Sequence, residues 1–205
     1  REWFTFRPKN KGAAASDDGK GWLSDAAKIT LESLQDSNFA AATQEMMTKL
    51  PTLATGCVFC GPAPDGGLFF RDYSIVDVCV AESPTREVDT AFHKFNFTAQ
   101  QAVKEWGLDA VHAKVREAYV REPYTEFKFI HAVFPVEVDP AKGANTSLAF
   151  ASYYVDKDHE HICAAGGFAS MPYAVPRWSL VSNECYGRGP AMMALMALRM
   201  LSRMA

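Results

Sequence analysis

Apolar positions Trp22, Ala26 and Ile29, interleaved with Ala27, Leu31 and Leu34, recur in steps of three and four. That spacing lines one face of an α-helix, and it predicts a helix from Trp22 until Asp36-Ser37-Asn38 interrupts the run with cap-forming residues. A second series, Phe39, Ala42, Met46, Leu50 and Leu53, predicts another helix that ends at Gly56. The two make a helical pair of the kind that covers one side of a sheet. Ahead of them, Pro8 through Gly21 carries Lys, Gly, Ala, Ser and Asp with almost no apolar side chain, which predicts a flexible loop.

After Gly56 the period shortens, and β-branched and aromatic residues take over in Cys57 to Cys60 and Leu68 to Phe70, divided by the turn-rich stretch Gly61 to Gly67. Ile75 to Ala81 and Val88 to Phe95 read as a hairpin joined through Glu82 to Glu87. Thr98-Ala99-Gln100-Gln101 is a capping box, in which the Thr98 hydroxyl accepts from the Gln101 backbone and the Gln101 side chain reaches back. Gly107 ends that short helix. Asp109 is expected to cap the next one, with Val111, Val115, Ala118 and Tyr119 on one face, until Glu122-Pro123 stops it. Three long β segments follow, roughly Glu126 to Val138, Leu148 to Asp156 and His161 to Ser170, divided by Asp139 to Asn145 and by Lys157 to Glu160. Their short connections favour an antiparallel meander.

Pro172 and Pro176 bracket an extended stretch leading through Arg177-Trp178 to Gly187-Arg188-Gly189-Pro190 and a final helix. Pro190 stands in the first turn, where proline is tolerated, and Met192, Met193, Leu195, Met196, Leu198, Met200 and Leu201 wrap nearly the whole circumference. A helix this apolar calls for cover, from the rest of its own chain or from identical neighbours packed in a ring.

A chain of 205 residues makes one domain or at most two small ones. At 48% hydrophobic and 22% charged it is an ordinary folded composition, neither a disordered chain nor a fibre. The formal net charge of −3 offers no general attraction for nucleic acid or an anionic membrane. The longest apolar run, at the C-terminal end, is interrupted by Arg199 and is too short to span a bilayer. The opening Arg1-Glu2-Trp3-Phe4 has neither an initiator Met nor a signal pattern, and the final helical pattern stops at Ala205 in mid-course, so a fragment of a longer protein is expected.

Candidate chemistry is sparse. Five cysteines, Cys57, Cys60, Cys79, Cys163 and Cys185, are odd in number and scattered, which fits a reducing compartment. Cys57-Val58-Phe59-Cys60 has the spacing of a metal knuckle or redox dithiol, but no second ligand pair stands at comparable spacing, and in a strand the two would face opposite ways. His159-Glu160-His161 falls in a polar turn with no third ligand implied, and His93, His112 and His131 read as surface or internally satisfied side chains. No Gly-x-Ser-x-Gly elbow appears. No carboxylate pair is singled out among Asp77, Glu82, Glu87, Asp89, Glu105, Glu117 and Glu126. Gly187-Arg188-Gly189-Pro190 lacks the Lys-Ser/Thr of a P-loop and reads as a tight turn into a helix, with Arg188 a candidate to bind a neighbour's carboxylate.

The sequence resembles the head-to-tail connector, or portal, proteins of short-tailed bacteriophages. The resemblance runs through Trp3-Phe4 with Arg7-Pro8, Asp36-Ser37-Asn38-Phe39, Thr55-Gly56, Gly67-Leu68-Phe69-Phe70, Thr98-Ala99-Gln100-Gln101 with Trp106-Gly107, and Phe168 with Met171-Pro172. It is strongest in Val175-Pro176-Arg177-Trp178 and Glu184-Cys185-Tyr186-Gly187-Arg188-Gly189-Pro190-Ala191. The heavy use of Met after that motif departs from the family's usual mix of Leu with Lys or Asp.

The resemblance implies a non-enzymatic, cofactor-free subunit of a ring, usually a dodecamer, at one capsid vertex, through which double-stranded DNA is packaged and ejected without sequence specificity. Its implied partners are further copies of itself, the terminase large subunit, and capsid, head-completion and tail proteins, with no membrane. The implied setting is the virion and, during assembly, the cytoplasm of the host bacterium, from a free phage or a prophage.

The expected fold is α+β, an antiparallel or mixed sheet assembly with covering helices. It divides into an arm and loop (1–21), a helical pair (22–56), a β-rich wing with two short helices at about 98–120 (57–182), and a turn with the start of a stem helix (183–205). Arg177, Trp178, Glu184, Tyr186, Gly187, Arg188, Gly189 and Pro190 are expected to set the angle between wing and stem, with Gly189 needed if its backbone angles demand glycine. The alternatives are another virion ring or adaptor protein, or a small enzyme domain using Cys57 and Cys60 or His159 and His161.

Overall fold

The helical pair forms where the periodicity places it, with one difference at its start. The computed structural model describes residues 3–8, 17–64, 66–136 and 148–204. Helix α1 (Asp17–Asp36) begins at Asp17 rather than Trp22. Acidic residues in a first turn complement the positive end of the helix dipole. Gly19 and Gly21 cost only about 1 kcal/mol each relative to Ala. The loop expected over Pro8 to Gly21 is therefore helical from Asp17 onward, and residues 9–16 lie outside the described residues.

Helix α2 (Phe39–Leu53) buries Ala42, Met46 and Leu50, the stripe read from the sequence, and ends on Ala54, which takes a left-handed φ of 63° and donates its N–H to Leu50 O at 2.8 Å. Between the helices, the Asn38 side chain does more than interrupt a pattern. Its amide donates to Phe70 O at 2.6 Å and accepts from Phe70 N at 2.8 Å, pairing with a strand edge as a peptide group would.

That strand is β2 (Leu68–Asp72), which pairs antiparallel with β1 (Val58–Pro62). The next hairpin is β3 (Val78–Glu82) and β4 (Val88–Thr98). The capping box forms as spelled, with Thr98 Oγ1 accepting from Gln101 N and Gln101 Oε1 accepting from Thr98 N at 2.9 Å, and it opens α3 (Ala99–Trp106). Helix α4 (Ala113–Arg121) is capped by His112, whose Nδ1 accepts from Lys114 N at 3.3 Å. Asp109, the expected cap, stands in the turn before it, because the extended backbone that precedes the helix belongs to His112.

The meander follows as β5 (Glu126–Pro135), β6 (Phe150–Asp156) and β7 (His161–Phe168), each antiparallel to the last. The divider at Asp139 to Asn145 lies outside the described residues. Strand β8 (Tyr173–Ala174) returns to pair with β1. The described residues thus form two antiparallel sheets, β2-β1-β8 and β3-β4-β5-β6-β7, with helices packed on them. This is the expected α+β class.

Three apolar clusters hold these layers together. Ala99, Ala102, Val111 and Val115 of the α3–α4 region pack on Phe129 and Cys163 of the larger sheet. Ala42, Met46 and Leu50 of α2 pack on Val58 and Phe70 of the smaller one. Cys57, Val78, Ala91, Val133 and Tyr173 fill the space between the sheets. Each fully buried Val, Leu or Phe contributes about 1.5–3 kcal/mol relative to exposure.

The last helix, α5 (Pro190–Met204), starts at the expected proline. The rest of the described chain does not cover it. It touches α2 near its beginning, and Met193, Leu198, Met200, Leu201 and Met204 remain exposed.

Candidate functional site: the turn into the last helix

Arg177 is the centre of the turn. Its guanidinium is nearly buried, at 11% exposure, and pairs with the Glu82 carboxylate at the end of β3. It also donates to Cys185 O at 3.0 Å and to Arg86 O at 3.2 Å. Arg86 holds a left-handed φ of 65° in the β3–β4 turn and donates to Val181 O at 3.1 Å. One planar cation thus ties the larger sheet's first hairpin to the segment that precedes α5.

The backbone on either side of Arg177 runs along the end of α2. Thr55 and Arg177 form an isolated antiparallel bridge, and Trp178 N donates to Ala54 O at 2.9 Å. The Trp178 ring is half exposed. Gly187 crosses directly over the same point, with its N–H donating to the buried Thr55 hydroxyl at 2.9 Å. A Cβ on Gly187 would lie 2.3 Å from Ala54 O, and one on Gly189 would lie 2.9 Å from Pro51 O.

Neither glycine has a positive φ among the described residues, so the backbone-angle reason for Gly189 does not hold. Close approach of two backbones takes its place: a side chain here would meet the carbonyls that end α2.

The remaining motif residues stop a strand edge and bind locally. The Tyr186 hydroxyl accepts from Val80 N at 3.2 Å, and the Cys185 thiol donates to Val80 O at 3.6 Å, so two side chains occupy the outer edge of β3. Unpaired edges invite association with other chains, and side-chain cover of this kind prevents it.

Arg188 forks onto Glu184, with Nε to Oε2 at 2.8 Å and Nη2 to Oε1 at 2.5 Å. That contact holds the Glu184 carboxyl below its usual range and raises the Arg188 guanidinium. The carboxylate that Arg188 meets among the described residues is that of Glu184, on its own chain. Pro190 opens α5, and Met192 and Met193 both direct their N–H groups to Gly189 O.

The cysteine and histidine candidates sit elsewhere: Cys57 and Cys60 face different clusters, while His159 and His161 meet around the His112 ring. Cys57 is fully buried between the sheets, where desolvation pushes its thiol up to about 12, while Cys60 points into the α2 cluster. A thiol so raised is a poor nucleophile at neutral pH. His159 Nδ1 is held by Asp156 Oδ2 at 2.8 Å, and His161 Nε2 donates to Ala110 O at 3.0 Å. The His112 ring stacks on His159 with centroids 4.4 Å apart. Among the described residues no group of three or more His, Cys, Asp or Glu is placed to hold a metal ion.

His93 and His131 are buried rather than superficial. Desolvation first, then Arg71 for His93 and His93 for His131, lowers both to about 4, so they are neutral at pH 7. His131 is satisfied by Tyr173 OH at 2.6 Å and Ser152 Oγ at 2.9 Å.

The sequence motif picked out Arg177 and Gly187 but missed their partners Glu82, Arg86, Thr55 and Val80. Those residues are 91 or more positions away from the atoms they bind. Of these, Thr55 alone is marked in the sequence, as part of the Thr55-Gly56 resemblance, and Glu82 reads as part of a hairpin connection.

A family model described as bacteriophage head to tail connecting protein matches residues 1–205. The chain is 27% identical over 205 residues to a "Probable portal protein" of Bordetella phage BPP-1, covering 98% of this chain and 37% of that one. It is 26% identical over 200 residues to a "Portal protein" of Salmonella phage epsilon15, covering 95% of this chain and 36% of that one. The chain thus spans little more than a third of the length of these relatives.

Proposed function

This chain belongs to the bacteriophage head to tail connecting protein family, and from that premise we propose that it is the wing and the beginning of the stem of a portal subunit. Closed rings of identical subunits are built through heterologous interfaces that repeat around an axis. In this reading the ring has twelve copies, sits at a capsid vertex, and conducts double-stranded DNA during packaging and ejection. The terminase large subunit docks on it during packaging, head-completion and tail proteins replace terminase afterwards, and the shell surrounds it. Assembly takes place in the host bacterial cytoplasm. The role is structural, without catalysis or a cofactor.

The observation that carries the reading is α5. Its exposed Met and Leu side chains have no cover within the described chain, and an exposed apolar surface of this extent marks an association site. A stem helix packed between neighbouring subunits supplies the missing contacts. The turn residues have a matching part: Arg177, Trp178, Glu184, Tyr186, Gly187, Arg188, Gly189 and Pro190 hold the direction in which the wing passes the chain to the stem. A mildly acidic chain suits a conduit, because abundant phosphate contacts would retain DNA rather than let it pass.

The test uses the complete gene product. Leu198→Gln with Leu201→Gln is expected to shift its native mass from a ring toward monomers, with unchanged far-ultraviolet circular dichroism. A ring population equal to that of the unmodified protein would reject α5 as a subunit interface.

A further inference from the structure

Four cations from four parts of the chain surround one open cavity of about 380 Å³ where β3 begins: Arg71 of β2, Lys94 of β4, Lys128 of β5 and Lys157 after β6. Strand β3 pairs with β4 only between Val88 and His93, so the half of β4 from Lys94 onward runs beside the cavity without a strand on that side. Asp77 is the acid in the wall, and its carbonyl accepts from Lys94 N at 2.8 Å, which fixes the corner. Asn96 stands opposite Lys128, and side chains alternate along a strand, so Lys94, Asn96 and Lys128 share one face. Lys157 N donates to Lys128 O at 2.9 Å, which sets these two lysines side by side.

Some cations elsewhere are paired, whereas Lys104, Lys114, Arg116, Arg199 and Arg203 on the helices have no ion pair among the described residues. Lys49, Arg86, Arg121, Arg177 and Arg188 each have a carboxylate within ion-pair distance. The four cations of the cavity have none among the described residues, and Arg71 lies instead over the Tyr73 ring at 5.4 Å. Like charges on neighbouring strands repel. The chain as a whole is acidic, so the grouping is not a by-product of a basic composition.

We propose that this cavity is a site for a phosphate-bearing ligand with two or more negative charges, the chemistry shared by a free oligophosphate and a nucleic-acid strand. Four cations stand against Asp77 in the wall and Glu126, which accepts from the lining residue Asn96 at 3.2 Å, and leave a local excess of two positive charges. Arg71 supplies a planar fork for phosphate oxygens, and the lysines supply point charges. The volume is in the ordinary range for small-ligand sites. His93 also lines the cavity, and Arg71 contributes to its lowered pKa, so an anion beside Arg71 acts on a reporter already in place. The inference rests on these side chains alone and stands apart from ring formation.

Calorimetric titration of the full-length protein with tripolyphosphate should show saturable binding that weakens steeply with added salt. Lys94→Gln with Lys128→Gln should weaken it by at least about tenfold, and Lys94→Arg with Lys128→Arg should restore it. Lys114→Gln with Arg116→Gln, the same charge change on α4, should leave it unaltered. The His93 imidazole, followed by NMR, should titrate at higher pH when the ligand is bound. Competition by a short single-stranded oligodeoxynucleotide identifies a nucleic-acid source, and its absence identifies a free oligophosphate. Lack of saturable binding, equal loss in the α4 variant, or oligoglutamate binding as tightly as tripolyphosphate would overturn the proposal.

Discussion

Gly187→Ala adds one methyl group at the point where the segment before α5 crosses the end of α2. The new Cβ would lie 2.3 Å from Ala54 O, 3.1 Å from Arg177 Cβ and 3.2 Å from Trp178 N. None of these can retreat cheaply. Ala54 is locked as a left-handed cap with its N–H on Leu50 O, and its carbonyl already accepts from Trp178 N at 2.9 Å. Overpacking of a tight site costs about 1–3 kcal/mol. Displacing Gly187 N from the buried Thr55 hydroxyl leaves two polar groups without partners, for about 1–3 kcal/mol more.

A loss near 3 kcal/mol corresponds to a melting point lower by roughly 6–12 °C for a chain of this length. Thermal unfolding of the purified chain followed by circular dichroism measures it. Gly21→Ala is the paired control: it lies in α1 with nothing within 4 Å of the added atom, and it should raise stability by about 1 kcal/mol. A Gly187→Ala protein that melts with the unmodified chain would refute the close-approach argument.

Arg177→Ala leaves the partly buried Glu82 with only the 3.9 Å contact to Arg86 and removes the donor to Cys185 O and Arg86 O, and urea unfolding should show a loss of about 2–3 kcal/mol. Thr98→Ala removes the capping box and should cost about 1 kcal/mol in the same assay. His93 and His131 are held neutral in the folded chain at about 4, below their unfolded value, so the unfolded state takes up more protons between about pH 6.5 and pH 4. Stability should be fully present above pH 6.5 and fall through that window, by about 3 kcal/mol per histidine. Urea midpoints at pH 7.5, 5.5 and 4.5 check it, and a flat profile would show that the two rings are not buried neutral.

Local signals were the legible ones. The capping box at Thr98 and Gln101, the α2 stripe of Ala42, Met46 and Leu50, and the hairpins around Gly61–Gly67 and Glu82–Glu87 all involve residues within a few positions of one another, where periodicity and turn chemistry act directly. Pairing over long separations was not legible. Nothing in Asn38 announced that its amide would bind both backbone groups of Phe70, 32 positions on. Composition likewise could not tell buried His131 from exposed residues of its type, because burial depends on the register that sets it between Tyr173 and Ser152.

The Arg-Trp and Tyr-Gly-Arg-Gly-Pro motifs could be singled out, but their physical basis could not. Gly187 and Gly189 are needed for space beside Pro51 and Ala54 rather than for unusual backbone angles, and only the packed structure distinguishes the two. The early start of α1 shows the converse: the scarcity of apolar side chains before Trp22 reads as a loop, yet the helix starts at Asp17 and runs through Gly19 and Gly21.

The most direct test of the account is the native mass of the complete gene product, by size exclusion with light scattering and negative-stain imaging. The account predicts a closed ring of about a dozen subunits around a central channel, a cyclic assembly built from one repeated interface. A stable monomer over a range of salt and protein concentration would contradict it.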